Sequence, residues 1–417
     1  APEESAPPRP EPSTVAEEAA SAAAAYEREL RERLAAEQAR PPSWLRRHRL
    51  TISLAVLLTV AAGAGYGAWR YRRALTHEQD VARYGQQARS VLLRDTRAAY
   101  EASLEAIDEV LDREASNAAA RATKAFVLAS LAKRWAHPRA DPAEAAALLG
   151  PAEAAAEPEL ALATRLLLAD DANRKAVEDE ILAVDPAAAG ATVHSLAGAI
   201  LHARGDLEGA IARFNAALAA VPGHVPTLVR VADHYGARRE HSEAERFARL
   251  ALAVVEEHPL ALLAAAEARL ALATSKAELD EIHRAVERLD GAAVPVADRD
   301  RHAIVRARLL AGVERREEAL AVLEPLRERA RDDQALLPAV AAAYVEVGAP
   351  DRAVELFRPD AIDRGTPLAV REAWARSLLA TERFRAVTVV PARPGDRNLH
   401  LLAGIAWLQL GDGRKAR

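Results

Sequence analysis

The chain of 417 residues contains no cysteine and no methionine. Without thiols there is no disulfide framework, no thiolate zinc site and no cysteine nucleophile, and compartment cannot be read from redox chemistry. Aromatic residues make up only 4% although half of the residues are apolar. Ala and Leu carry the difference, and both are strong helix formers that let helices approach closely. An excess of one charge is missing too: 56 Lys and Arg stand against 61 Asp and Glu. That balance offers no surface that seeks polyphosphate, so nucleic acid is not an expected partner. With Ala1 first and no methionine, the chain reads as a fragment of a longer protein.

Residues 1–43 hold seven of the 23 prolines among Glu, Ala and Ser. Such a segment cannot bury enough apolar area to offset its chain entropy and reads as a disordered tail. Then RRHRLTISLAVLLTVAAGAGYGAWRYRR brings an uncharged run from Leu50 to Trp69 between arginine clusters. At about 1.5 Å per residue it matches the roughly 30 Å of a bilayer core, and Trp44, Trp69 and Tyr71 sit where headgroups would be. The expectation is one transmembrane helix over 50–69. Six arginines lie in the twenty residues before it and five in the twenty after it. This places the N-terminus in the cytoplasm and the remainder outside it, in a periplasm. Gly63 and Gly67 have the GxxxG spacing that allows a homodimer through this helix.

From residue 74 onward, apolar residues recur at three- and four-residue spacing, broken about every fifteen residues by polar, Gly or Pro punctuation; these are paired amphipathic helices. HSLAGAILHARGDLEGAIARFNAALAAVP, from His194, sets small residues at Gly198, Ala210 and Ala217, a turn at Gly205, a bulky Phe214 and a stop at Pro222. Small residues let two antiparallel helices close up, Phe214 fills the wedge to the next pair, and Gly205 supplies a helix-ending conformation. Ala244 follows Ala210 by 34 residues and Ala353 follows Ala319 by 34, with Tyr344, Gly348 and Phe357 at matching offsets. HLLAGIAWLQLGDGRKA, from His400, repeats the line with Gly404, Trp407 and Gly411. This pattern resembles the tetratricopeptide repeat, a 34-residue helix-turn-helix unit. The resemblance implies an all-α fold, a right-handed α-solenoid of stacked hairpins, with clear repeats over 191–417 and degenerate helical repeats over 74–190. The last repeat is cut short, which implies that the protein continues past Arg417.

Catalytic and metal-binding patterns were weighed against this frame. No HExxH or GxSxG occurs, no two histidines stand four apart on one helix face, and His194 and His400 occupy the same repeat position, as packing residues do. GAGYG lies inside the apolar run with no strand before it, and GDGRK lacks phosphate-loop spacing. The expectation is no catalytic residue, no cofactor and no metal.

In a repeat of this kind the first helix of each pair lines a groove that takes a peptide or partner helix. The positions so placed are Thr192, Ser195, His202, Val229, Arg230, Asp233, Ala342, Val345 and Leu408. The Asn and Lys/Arg clamp that some members of the family use for a terminal carboxylate is not reproduced, which favours an apolar or mixed partner. The reading is therefore a membrane-anchored scaffold that binds protein partners, touching the bilayer through 50–69. The alternative is the sensor and transmembrane part of a bacterial receptor-like Ser/Thr kinase whose catalytic domain lies upstream of Ala1.

Overall fold

The computed structural model describes residues 25–29, 31, 59, 63, 66, 69–71, 78–90 and 92–416. The chain divides into two units, Ala1–Glu78 and Gln79–Arg417. In the first unit residues 25–29 are helical and Arg31 pairs with Glu27 at 3.2 Å. Thr59, Gly63, Tyr66 and residues 69–71 are helical as well. The rest of the apolar run 50–69, and all of the tail 1–43 except 25–29 and 31, lies outside the described residues. Among the described residues no helix is long and apolar enough to cross a membrane.

The second unit is all-helical among its described residues. After a helical stretch over 79–90, it comprises α1 (Arg97–Arg113), α2 (Ala118–Trp135), α3 (Pro142–Leu148), α4 (Pro151–Ala156), α5 (Pro158–Leu168) and α6 (Arg174–Ala183). Then come α7 (Ala191–Ala203), α8 (Leu207–Ala220), α9 (Val225–Ala237), α10 (His241–Val254), α11 (Pro259–Leu272) and α12 (Lys276–Glu287). A short 3₁₀ turn, Val296–Asp298, leads into α13 (Arg299–Gly312), α14 (Arg316–Asp332), α15 (Leu337–Glu346), α16 (Pro350–Val354), α17 (Leu368–Ala380), α18 (Phe384–Val387) and α19 (Arg397–Gln409). From α7 on, each odd-numbered helix packs on the even-numbered one that follows it and on the next odd one. The result is two layers: an inner layer α7, α9, α11, α13, α15, α17, α19, and an outer layer of their hairpin partners. On the other side α5 packs against α7, and α2 against α5.

Local chemistry explains the hairpins. The Asp206 carboxylate accepts the Gly209 N–H at 2.9 Å and caps α8; Asn117 caps α2 in the same way through Ala120 N–H. Each satisfies a donor that a helix start leaves orphaned. Gly198 of α7 lies where a Cβ would come within 2.5 Å of the Phe214 ring and 3.1 Å of the Ala210 carbonyl. Phe214 is 1% exposed and reaches across to the His234 ring of α9, 6.4 Å between centroids. The expected close approach and wedge are both present.

The turns between inner and outer helices, except that between α11 and α12, share one backbone form. Gly205, Arg239, Glu314, Gly348, Glu382 and Gly411 all have left-handed φ, from 58° to 84°. At each of them the following N–H (Asp206, Glu240, Arg315, Ala349, Arg383, Asp412) donates to the carbonyl five residues back, at 2.7–3.0 Å. This closing motif caps the helix that ends there. The steps from Gly205 to Arg239, from Glu314 to Gly348 and from Gly348 to Glu382 are each 34 residues. The repeat thus survives in the backbone where the glycine signature does not.

Candidate functional site

The inner layer presents two different surfaces. Over α2, α5, α7, α9 and the start of α11 it is closed by the chain itself. The His258 ring, capping α11 by accepting the Ala261 N–H at Nδ1, donates from Nε2 to the Asp95 carbonyl at 3.2 Å. Trp135 at the end of α2 donates its indole N–H to the Ala293 carbonyl at 2.9 Å, and Arg97 reaches the Ala292 carbonyl at 3.4 Å. Residues 158 to 195 positions apart are therefore joined directly.

A charged cluster lies at this closure. The Arg134 guanidinium grips both oxygens of Asp95, at 2.5 and 3.0 Å, and the Tyr100 hydroxyl donates to the same carboxylate at 2.9 Å. Burial alone would raise the Asp95 carboxyl, but the charge and hydrogen bonds of Arg134 outweigh it and hold it down at about 2. Burial and the neighbouring Asp95 charge push the Tyr100 hydroxyl above its usual range. His224 at the start of α9 is pulled down to about 4, by burial and then by the charge of Arg230; its Nδ1 lies 2.7 Å from the Thr227 hydroxyl. A second cluster ties three inner helices together: Arg301 of α13 reaches Asp233 of α9 at 2.7 Å and Glu267 of α11 at 2.6 and 3.0 Å.

Beside the first cluster is a cavity of about 740 Å³. Its apolar wall includes Leu92, Phe126, Leu160, Leu166, Leu167 and Leu196, and its polar lining includes Asp95, Ser130, Arg134, Glu159, His224 and Arg230. Arg230 donates to the Ser195 hydroxyl at 2.5 Å and makes no ion pair among the described residues. Burial depresses its pKa, with Asp95 opposing.

The second surface runs over α15, α17 and α19, and it is open. Ala335, Ala339, Ala342 and Ala369 are exposed, and so are Leu368 at 41%, Leu401 at 64% and Leu408 at 61%. Leu401 and Leu408 stand seven apart on one face of α19, with Arg397 one turn before Leu401. Arg364, Arg397 and Arg414 are exposed and form no ion pair among the described residues.

The residues expected in a single groove are distributed between these settings. Thr192 and Arg230 line the cavity. Ser195 and Val229 are buried in the packing, Ser195 as the acceptor of Arg230. His202 stacks edge-on against His234, 5.3 Å between centroids, and Asp233 is held by Arg301. Leu408, with Ala342, belongs to the open stretch, while Val345 is half-buried. Sequence reasoning did not single out Asp95, Tyr100, Arg134 or His258. Their pairing depends on where distant hairpins come to rest, and no local spacing announces it.

These features define an all-helical repeat protein of stacked helical hairpins. No protein-family model matches the chain, and no curated protein matches it. Solved structures resemble it at low identity. One is a tetratricopeptide repeat protein from Parabacteroides merdae, 13% identical, covering 81% of this chain and 90% of that one with a TM-score of 0.33. Another is the APC/C hetero-tetramer Cut9–Hcn1, 14% identical, 76% and 68% covered, TM-score 0.45. A third is yeast Tom70, 16% identical, 70% and 61% covered, TM-score 0.33. Values this low carry no argument, and the repeat assignment stands on the recurring turns and hairpin packing.

Proposed function

We propose that the chain is a tetratricopeptide-type scaffold that binds a protein partner along the open inner surface of α15, α17 and α19. The observation that carries this is the exposed apolar strip of Ala339, Ala342, Leu368, Leu401 and Leu408, bordered by Arg364 and Arg397, which make no ion pair. An apolar strip with cations at its edge fits an amphipathic partner segment with acidic flanks: leucine side chains are buried on binding, and the arginines steer the approach. Binding alone accounts for the chemistry on this surface, which has no nucleophile beside a base.

The experiment places a photo-crosslinking side chain at Leu408 and, as a comparison, at Leu250 on outer helix α10, which is also exposed. A discrete adduct is expected from Leu408, sensitive to salt and lost in a Leu401→Glu variant, with none from Leu250. Equal adducts from both positions would remove the proposal.

We further propose that residues 50–69 hold this scaffold at a membrane, with the N-terminus cytoplasmic. The support is the uncharged run between two arginine clusters. Alkaline carbonate extraction decides it: a spanning chain stays in the pellet, and release into the supernatant would end the idea.

A further inference from the structure

We propose that the cavity lined by α2, α5, α7 and α9 is a binding site for a small molecule that joins an anionic head to an apolar body, with the head seated on Arg230. This is independent of the partner surface on α15–α19, and either can fail without the other.

The first argument is charge bookkeeping inside the cavity. Two of the three acidic side chains in its lining are paired with cations, Asp95 with Arg134 and Glu157 with Arg89, while Glu159 accepts the Gly190 N–H at 2.5 Å. Cations are in excess. Arg230, Lys133 and Arg174 line the same space and form no ion pair among the described residues, three positive charges against the one unpaired carboxylate of Glu159. Lys133 and Arg174 are exposed at the rim, where water screens them. Arg230 is different, because it is half-buried and has one hydroxyl acceptor for five N–H donors among the described residues. A partly desolvated cation without an anion is a ready partner for one. A planar fork also suits a carboxylate or phosphate oxygen pair.

The second argument is shape. About 740 Å³ lies within the range of small-molecule sites. The walls come from four helices and α1, and the closure through Asp95, His258 and Trp135 stands between the cavity and the rest of the inner layer. Much of the lining is leucine and phenylalanine, so the ligand's body is apolar.

The test is isothermal titration of the purified full chain with sodium octanoate, and with 1-octanol as the neutral analogue. Saturable one-to-one binding of octanoate is expected, at least tenfold tighter than octanol. In Arg230→Gln the preference for the anion should fall at least tenfold, while the thermal midpoint stays level or rises, because an unpaired cation has been removed. Should Arg230→Gln not fold, Arg230→Lys keeps the charge but not the fork and should weaken octanoate at least threefold. Lys133→Gln should weaken it only two- to fivefold. Equal binding of octanoate and octanol, no saturation below 5 mM, or an unchanged affinity in the foldable Arg230 variant overturns the proposal. So does tighter binding of a leucine-terminated peptide acid, which would assign the cavity to a protein's end.

Discussion

The front of the repeat array, α7 to α12 with α1 to α6 packed before it, and its back, α13 to α19, share the same hairpin from α7 on, yet they use their inner faces in opposite ways. In front, Asp95, Arg134, Tyr100 and His258 close the inner face upon itself, and the charges are buried. At the back, alanines and leucines of α15, α17 and α19 remain in contact with water; ion pairs such as Arg383 with Asp351 and Arg358 with Asp332 are on the surface, and the one buried pair described there, Arg371 with Asp396, lies within the packing and does not close the inner face. The turn geometry and the stacking are shared, so the hairpin alone does not decide whether the inner face is sealed. Side chains spaced far apart in sequence decide it. Such a division leaves one part of the molecule to hold its shape and another free to meet a partner.

The comparison is most severely tested by removing the carboxylate at the centre of the seal. Asp95→Ala leaves the half-buried Arg134 with the Tyr100 hydroxyl and the Trp135 ring but no anion, and stranding one member of a buried pair destabilises by up to about 3–5 kcal/mol. Asp351→Ala at the back removes an exposed partner of Arg383, and surface pairs contribute about 0–1 kcal/mol. Urea titrations of the two variants should differ accordingly. If both shift the midpoint equally, the front is not held together by its buried charges.

Acid should act on the front first. His224 has a folded pKa of about 4 against 6.5 for the free side chain, so the fold keeps it neutral. Above pH 6.5 neither state carries the proton and the full stability is present. As pH falls from 6.5 toward 4, the unfolded chain takes up a proton that the fold refuses, and stability declines by up to about 3 kcal/mol. His258 and His234 are also pulled down by burial and add to the same slope. Asp95, depressed from 3.8 to about 2, extends the loss below pH 4. Hydrogen exchange at pH 5 should show α9 and α11 loosening while α15 and α17 keep their protection. In a His224→Asn variant the slope between pH 6.5 and 4 should flatten.

Close helix contact can be probed at equivalent positions in the two regions. A methyl group at Gly198 meets the Phe214 ring at 2.5 Å, whereas at Gly404 the nearest atom is the Ala416 carbonyl at 3.2 Å. Gly198→Ala should therefore destabilise by about 1–3 kcal/mol, as overpacking does, and Gly404→Ala by less than about 1 kcal/mol. Trimming Phe214 to leucine in the Gly198→Ala background should recover part of the loss. Thermal midpoints that fall equally in both glycine variants would mean that the approach at Gly198 is no tighter than the one at the far end.

These cases also show what a single sequence can disclose. Gly198, Phe214 and the 34-residue step were legible because each is a local requirement: a close approach, a wedge, a period. Paired amphipathic helices beyond residue 74 were legible too, from apolar spacing alone, and one such pair runs Pro259–Leu272 and Lys276–Glu287. The seal was not. Asp95 precedes α1 in an unexceptional polar turn, and its meaning arises only when His258, 163 residues on, arrives beside it. Arg230 could be placed on an inner helix by its register, but its enclosure follows from the seal and was hidden with it.

The smallest expected effect concerns the turns, where the two regions agree. Arg239 in front and Glu314 and Glu382 at the back adopt the left-handed conformation that Gly205, Gly348 and Gly411 occupy without strain. A side chain there costs about 1–2 kcal/mol, and replacing it with glycine gives back part of that through a more flexible unfolded chain, which costs about 0.5–1 kcal/mol. Arg239→Gly, Glu314→Gly and Glu382→Gly should each stabilise by roughly 0.5–1 kcal/mol, with Glu314→Gly at the low end because it also removes the Lys276 pair at 2.8 Å. Differential scanning calorimetry should find the three gains additive, since the sites lie in separate repeats. Glycine at Glu240, one residue beyond the turn, has no strain to relieve and should destabilise. A gain there equal to that at Arg239 would show that the recurring left-handed turn is not what ends the inner helices.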